Sequence, residues 1–213
     1  MILRKSAGGL GRTGKRIWAV TRHFVLPLPR FYYEGRPPLE GQMWYRERKL
    51  LFRTVRRFKP LHCFEVGTWK GGGSTLFVAQ ALAENGSGIL HTIESNLEFH
   101  DQAKENFRKH LPGLLPFVDF RFGDYRQVFP EILNSVGRVD FLILDGPEDA
   151  QSTLDQFRLF LPFMKPGSLL MVHDWLTEKA RLIRPIIEDR LKWRLKEVLL
   201  PSASIGFALA EKI

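Results

Sequence analysis

From residue 61 onward the sequence alternates between short apolar runs and longer segments with helical periodicity, which restricts the chain to few folds. The apolar runs are LHCFEVG, GILHTIE, FVDFRFGD, VDFLILDG and GSLLMVHDW. Strands that are apolar on both faces need helices on both sides, as in the parallel sheets of α/β proteins. We therefore predict an α/β fold with a doubly wound, mostly parallel sheet.

Two further apolar runs, WRLKEVLL and SIGFALAE, close the chain and are separated by only a few residues. A parallel connection needs a crossover of a dozen residues or more, whereas antiparallel strands can follow one another directly. These two strands are therefore predicted to form a C-terminal antiparallel hairpin, which brings the sheet to seven strands.

The N-terminal part of the chain has a different composition. Residues 1–60 contain 15 Lys/Arg and 3 Asp/Glu, a balance of +12, whereas the other 153 residues contain 17 and 20, a balance of −3. Glycines and prolines interrupt residues 1–38 repeatedly, and helical spacing of apolar residues follows. We predict a basic arm over 1–38 and a domain over 39–213 that begins with a leading helix over 39–59.

Two classes of protein are disfavoured by the composition. The single cysteine, Cys63, rules out an internal disulfide framework and fits a reducing compartment. No uninterrupted apolar stretch approaches the roughly 18 residues of a membrane span. We therefore expect a cytoplasmic protein.

Each of the first five predicted strands ends in an acidic residue. In open α/β sheets, ligands bind beyond the carboxyl ends of the strands. Some of these acids could cap the helices that follow, but five acids at one edge of a sheet favour a ligand site. They are Glu65, Glu94, Asp124, Asp145 and Asp174.

The first strand runs into a glycine-rich loop, FEVGTWKGGGSTLF. Gly67 and Gly71 let the backbone approach a ligand closely, and the helix that begins at Ser74 presents free N–H groups. Glu65 would repel a diphosphate there, so a ligand with a cationic centre is favoured. Glu94, at the end of the second strand, can accept both hydroxyls of a ribose. With Asp124 near an adenine, these acids predict a pocket for an adenosine that carries no phosphate.

These motifs resemble those of the Rossmann-like class I S-adenosylmethionine-dependent methyltransferases over roughly residues 40–212. FEVGTWKGG resembles their first motif, HTIE their ribose-binding strand, FGD their adenine loop and VDFLILDG their fourth motif. LILDG followed by LLMVHDW is most similar to small O-methyltransferases of the metal-dependent type that modify sugars and natural products. One departure is the run Gly71-Gly72-Gly73, where relatives usually have one glycine fewer.

The resemblance implies S-adenosylmethionine as cofactor and methyl transfer to a hydroxyl of a small-molecule or glycan acceptor. It also implies a divalent cation, Mg²⁺, held by Asp145, His173 and Asp174, which would orient an acceptor hydroxyl pair. The residues expected to bind the cofactor are Glu65, Gly67, Thr68, Trp69, Gly71, Ser74, Glu94, Ser95, Gly123, Asp124 and Asp145.

The catalytic base stays open at this point. Catechol-type relatives place a lysine three residues after the fourth-strand acid and many sugar-type relatives a histidine, whereas this chain has Glu148 in DGPEDAQ. Glu148 can act as a base or simply begin a helix. His173 is the other candidate, although strand alternation places it on the face opposite Asp174 unless the strand has already ended.

The sequence leaves more than one role open for the basic arm and more than one activity open for the protein. Residues 1–38 could bind nucleic acid, contact an anionic membrane peripherally or support a homo-oligomer. The acidic body, and DGPED in place of an Asn/Asp-Pro-Pro-aromatic motif, disfavour a nucleic-acid methyltransferase. A non-catalytic adenosine-ligand binding protein and a nicotinamide oxidoreductase also stay open, although GTWKGGGS fits the G-x-G-x-x-G spacing of the latter poorly.

Overall fold

Seven strands hydrogen-bond into one sheet in the computed structural model, which describes residues 39–146, 149–199 and 206–213. The sheet order is β3-β2-β1-β4-β5-β7-β6. Strands β1 to β5 pair in parallel, and β7 is antiparallel to both β5 and β6. This confirms the predicted fold class. The strands are β1 His62–Val66, β2 Ile89–Glu94, β3 Val118–Phe122, β4 Val139–Leu144, β5 Met164–His173, β6 Trp193–Leu199 and β7 Phe207–Lys212.

Helices cover both faces of this sheet, so there are two hydrophobic cores. Residues of β4 alternate between them, because successive side chains of a strand point to opposite faces: Phe141 and Ile143 lie in one core, and Leu142 and Leu144 in the other. The helices are α1 Tyr45–Phe58, α2 Ser74–Asn85, α3 Leu97–His110, α4 Tyr125–Val136, α5 Ala150–Phe160 and α6 Arg184–Ile187.

The leading helix is shorter than the predicted span of 39–59, since α1 begins at Tyr45. Its start is fixed by Glu47, whose carboxylate accepts a 2.7 Å hydrogen bond from the backbone N–H of Trp44. Residues 39–44 precede the helix and lie against the glycine-rich loop. The spacing of apolar residues alone could not show this, because it does not distinguish a first helical turn from a packed extended segment.

The predicted helix through EKARLIRPIIEDRL was wrong in extent. The structure has a short 3₁₀ turn at Glu178–Ala180 and, after a break, the single-turn helix α6. Pro185 explains the break, because proline lacks a backbone N–H and is tolerated only in the first turn of a helix. A helix can therefore begin beside Pro185 but cannot run through it.

Some predictions fall on parts of the chain outside the described residues. These are the basic arm over 1–38 and Glu148. Among the described residues, the helices are all too short or too polar to cross a membrane.

Candidate active site

A cavity of about 520 Å³ opens at the carboxyl ends of β1, β2 and β4, where the sequence predicts a ligand site. Its volume is within the range of small-molecule sites. The structure brings nine of the eleven predicted cofactor residues to its wall: Gly67, Thr68, Trp69, Ser74, Glu94, Ser95, Gly123, Asp124 and Asp145. Residues not anticipated also line it, among them Gln42, Asn96, Phe99, Tyr125, Arg126, Ser152 and Asp155.

The backbone at the end of β1 fits closely against β4. Gly67 has φ +104°, and a Cβ there would lie 2.5 Å from the carbonyl oxygen of Asp145. The next turn contains Trp69 at φ 47°, in the left-handed region that non-glycine residues seldom adopt. Glycine at position 67 is therefore needed for the loop to pass the strand that carries Asp145.

The third glycine of the loop has a packing role. A Cβ on Gly72 would lie 1.9 Å from the carbonyl oxygen of Glu40, and one on Gly41 would lie 2.2 Å from the carbonyl oxygen of Gly72. Two backbones therefore cross here at a separation that excludes any side chain. The extra glycine accommodates the chain segment that leads into α1.

Glu65 lies beneath the loop instead of on the cavity wall. Its side chain is fully buried, and Oε2 accepts hydrogen bonds of 2.6 Å from the hydroxyls of both Thr75 and Thr92. Oε1 has no hydrogen-bond partner among the described residues. Burial raises the pKa of Glu65 from 4.5 to about 7, although neighbouring hydroxyls oppose the shift. Gly71, the other predicted residue away from the wall, packs over the ring of Phe107.

Glu94 connects the end of β2 to the loop. Its Oε2 accepts a 2.8 Å hydrogen bond from the backbone N–H of Trp69, and Oε1 accepts one of 2.9 Å from that of Asn96. Each carboxylate oxygen retains a second acceptor position. Glu94 is thus held in a fixed orientation on the cavity wall and can still accept hydrogen bonds from a ligand.

Asp124 is both a helix cap and a wall residue. It precedes α4 and accepts a 2.9 Å hydrogen bond from the backbone N–H of Arg126. The guanidinium of the same residue lies 2.6 Å away, and this pairing lowers the pKa of Asp124. Asp124 therefore caps α4 and also lines the cavity.

At the β4–β5 side of the cavity, three predicted residues come together. Nδ1 of His173 lies 3.0 Å from Oδ1 of Asp145 and 3.2 Å from Oδ1 of Asp174. Strand β5 ends at His173, and Asp174 has φ 57°. This left-handed residue interrupts strand alternation and turns the carboxylate back toward His173, so the two neighbours share one side.

Two residues that the sequence analysis missed complete this group. Nε2 of His173 lies 3.2 Å from Oε2 of the fully buried Glu47, and Nζ of the buried Lys179 lies 3.5 Å from Oδ2 of Asp174. The sequence did contain a sign of the burial of Glu47, because this residue is four positions before Leu51 on the apolar face of α1. We call Glu47, Asp145, His173, Asp174 and Lys179 the charged cluster.

The carboxylates of this cluster hold His173 as a cation. Burial alone would lower its pKa, but Asp145, Asp174 and Glu47 outweigh that effect and raise the pKa to about 12. Burial alone would also raise the pKa of Asp174, but His173 and Lys179 lower it on balance. At neutral pH the imidazolium is therefore a fixed donor to carboxylates and not a proton acceptor.

Asp145, His173 and Asp174 are the residues predicted to bind Mg²⁺. One ligand atom from each of Asp145, His173 and Asp174 lies within 4.8 Å of the others. A metal-binding histidine, however, must present an unprotonated nitrogen, and both nitrogens of His173 face carboxylate oxygens. In this arrangement both nitrogens are engaged by carboxylates, so His173 has no free nitrogen for a divalent cation.

Comparisons with known proteins agree with this architecture. Residues 64–175 match a family model described as a methyltransferase domain. An O-methyltransferase from Bacillus cereus in complex with SAH superimposes with a TM-score of 0.67 at 18% identity, covering 93% of this chain and 97% of that one. The O-methyltransferase TomG from Streptomyces achromogenes, involved in tomaymycin synthesis and solved with SAM, gives 0.66 at 19% identity, covering 93% and 96%.

A SAH-bound methyltransferase from Podospora anserina gives a TM-score of 0.61 at 15% identity, covering 99% of this chain and 100% of that one. The comparison with curated protein sequences found no match. At such identities the structural likeness establishes the fold, and the family model, which spans just over half of the chain, establishes the family. The chain therefore belongs to the methyltransferase-domain family and has the Rossmann-like class I methyltransferase fold.

Proposed function

We propose that the protein transfers a methyl group from S-adenosylmethionine (SAM) to a hydroxyl oxygen of a small molecule. The observation that carries the proposal is a single cavity that joins two kinds of site. Glu94 and the glycine-rich loop lie at one end, and Asp145 joins the same wall to the charged cluster. O-methyltransferases with SAM or SAH bound share the fold.

The residues on the wall suit a phosphate-free adenosine with a cationic centre. Glu94 has free acceptor positions for ribose hydroxyls, and Asp124 lies across the cavity at the start of α4. Gly67 lets the loop lie against the end of β4 and also lines the cavity. Acidic side chains here favour a sulfonium over a diphosphate.

When bound, SAM supplies a methyl group on a positively charged sulfur. The protein's main contribution is to align the sulfur, the methyl carbon and the acceptor oxygen, since orientation can contribute about 7–11 kcal/mol to a rate. As the new C–O bond forms, the acceptor hydroxyl must lose its proton. Asp145 is the member of the charged cluster that lines the cavity, and it is positioned to accept that proton or to hold the hydroxyl.

The test is calorimetric titration of the full-length protein with SAM and, in parallel, with NADH. We expect micromolar binding of SAM and none of NADH. Glu94→Gln should weaken SAM binding roughly 10- to 100-fold, since a hydrogen bond to a charged group contributes about 1.5–3 kcal/mol. Glu98→Gln is the matched control, because Glu98 is an exposed acid of the next helix that does not line the cavity.

Failure of SAM to bind the folded protein would overturn the cofactor assignment. Equal affinity of Glu94→Gln and wild type would show that SAM, if bound, lies elsewhere. Once binding is established, transfer of a radioactive methyl group to candidate hydroxyl compounds separates an enzyme from a protein that only binds the adenosine ligand.

A further inference from the structure

We propose that Lys179 takes the place of a divalent cation beside Asp145 and Asp174, so that the charged cluster works without a metal. Its role in methyl transfer rests on the function proposed above, whereas the absence of a bound metal can be tested separately.

Lys179 is an unusual lysine because its whole side chain is inside the protein. Only 2% of its surface is exposed, and lysines are almost never so buried unless paired. Its ammonium lies 3.5 Å from Oδ2 of Asp174 and 3.9 Å from Oδ1 of Asp145. It makes no hydrogen bond of good geometry within the described residues. The ammonium is therefore paired with two carboxylates by charge and not by a hydrogen bond.

The local fold places this ammonium beside Asp174. Lys179 lies in the 3₁₀ turn Glu178–Ala180, a few residues after β5, and that turn packs against α5. The turn follows Asp174, whose backbone is left-handed. One short segment thus supplies a carboxylate and the cation that neutralises it.

The position of the ammonium explains why a second cation has no place here. Nζ of Lys179 already lies 3.5 Å from Oδ2 of Asp174 and 3.9 Å from Oδ1 of Asp145. A divalent ion between the same two carboxylates would lie next to this ammonium, and like charges repel more strongly in a partly buried site than in solution.

Lys179 is a positioning residue. It does not line the cavity, but Asp145 does, and the ammonium lies close enough to attract both that carboxylate and the one of Asp174. A metal held by the cluster would favour acceptors with two adjacent oxygens, whereas a carboxylate that accepts a proton needs only one. One reactive hydroxyl on the acceptor is therefore sufficient.

The test is binding of Mn²⁺ alone to chelator-treated, full-length protein, followed by the electron paramagnetic resonance signal of the free ion. Wild type should leave the signal unchanged at millimolar Mn²⁺. Lys179→Met keeps the length of the side chain and removes its charge, and it should bind one Mn²⁺ at least tenfold more tightly than wild type does. Lys192→Met is the control, since Lys192 is an exposed lysine paired with Asp189, and it should behave as wild type.

Binding of one Mn²⁺ to the wild-type cluster would overturn the inference, and this measurement stands even if Lys179→Met fails to fold. A folded Lys179→Met protein that binds no more Mn²⁺ than wild type would also overturn it. SAM titration of the wild-type sample keeps the two proposals distinct. Failure of wild type to bind SAM refutes the proposed function, whereas Mn²⁺ binding by wild type refutes only the assignment of Lys179.

Discussion

Replacing the buried Glu65 by glutamine should change how the stability of the protein depends on pH. In the folded protein the pKa of Glu65 is raised from 4.5 to about 7. The folded state therefore keeps a proton that the unfolded chain releases within this window, and stability falls as pH rises from 4.5 to 7. Glutamine carries no charge at any pH, so Glu65→Gln lacks this loss.

The size of the effect follows from the same shift. Between pH 5 and pH 8, wild type should lose about 2.5 kcal/mol of unfolding free energy relative to Glu65→Gln, since one pKa unit corresponds to about 1.4 kcal/mol. The amide introduces a buried NH₂ where Oε1 has no partner among the described residues. That cost does not depend on pH, so it cancels when the two pH values are compared.

The measurement is urea unfolding of both proteins at several pH values between 5 and 8. Glu131→Gln, which removes a carboxylate from the exposed side of α4, is the control and should follow wild type. A stability difference between wild type and Glu65→Gln that stays constant over this range, or that changes in the opposite direction, would refute the argument. It would mean that water reaches Glu65 or that the folded protein pairs its charge.

Three further predictions concern packing and the charged cluster. Gly72→Ala should lower the unfolding free energy by at least about 2 kcal/mol, because its Cβ would overlap the backbone of residues 39–44. Gly73→Ala, whose Cβ would have its nearest neighbour at 3.7 Å, should lower it less in the same urea titration. Glu47→Gln should lower the unfolding free energy by about 3 kcal/mol, since it removes a buried charge partner of His173. Glu178→Gln, which breaks an exposed ion pair, should lower it by less than about 1 kcal/mol, and equal losses would contradict the burial argument. The stabilising contribution of His173 is complete below pH 6.5 and disappears as pH approaches about 12. The difference in unfolding free energy between wild type and His173→Asn should therefore shrink as pH rises. A difference that grows would show that folding lowers the pKa of His173 instead of raising it.

Much of the cavity could be predicted from the sequence because strand ends are easy to locate. Apolar runs mark the parallel strands, and the residue after each run must lie at the ligand-binding edge. Glu94 and Asp145 were placed in this way, and both line the cavity. Glycines such as Gly67 were identified by their position after a strand, where a close approach of backbones requires them.

The depth of each side chain was harder to predict. Phe64 and Val66 lie in the core of one face, so alternation directs Glu65 to the other face. Alternation does not show that this carboxylate would be fully covered by α2 and the loop. The charged cluster was harder still, because the left-handed turn at Asp174 breaks the alternation on which the prediction relied.

The contact between Glu47 and His173 has a consequence for how the protein is made. The two residues are 126 positions apart in sequence. At a synthesis rate of roughly 5–20 residues per second, Glu47 leaves the ribosome about 6 to 25 s before its partner exists. During that interval α1 cannot bury its carboxylate against an imidazolium. The first helix of the domain must therefore wait for the fifth strand before it settles fully on the sheet.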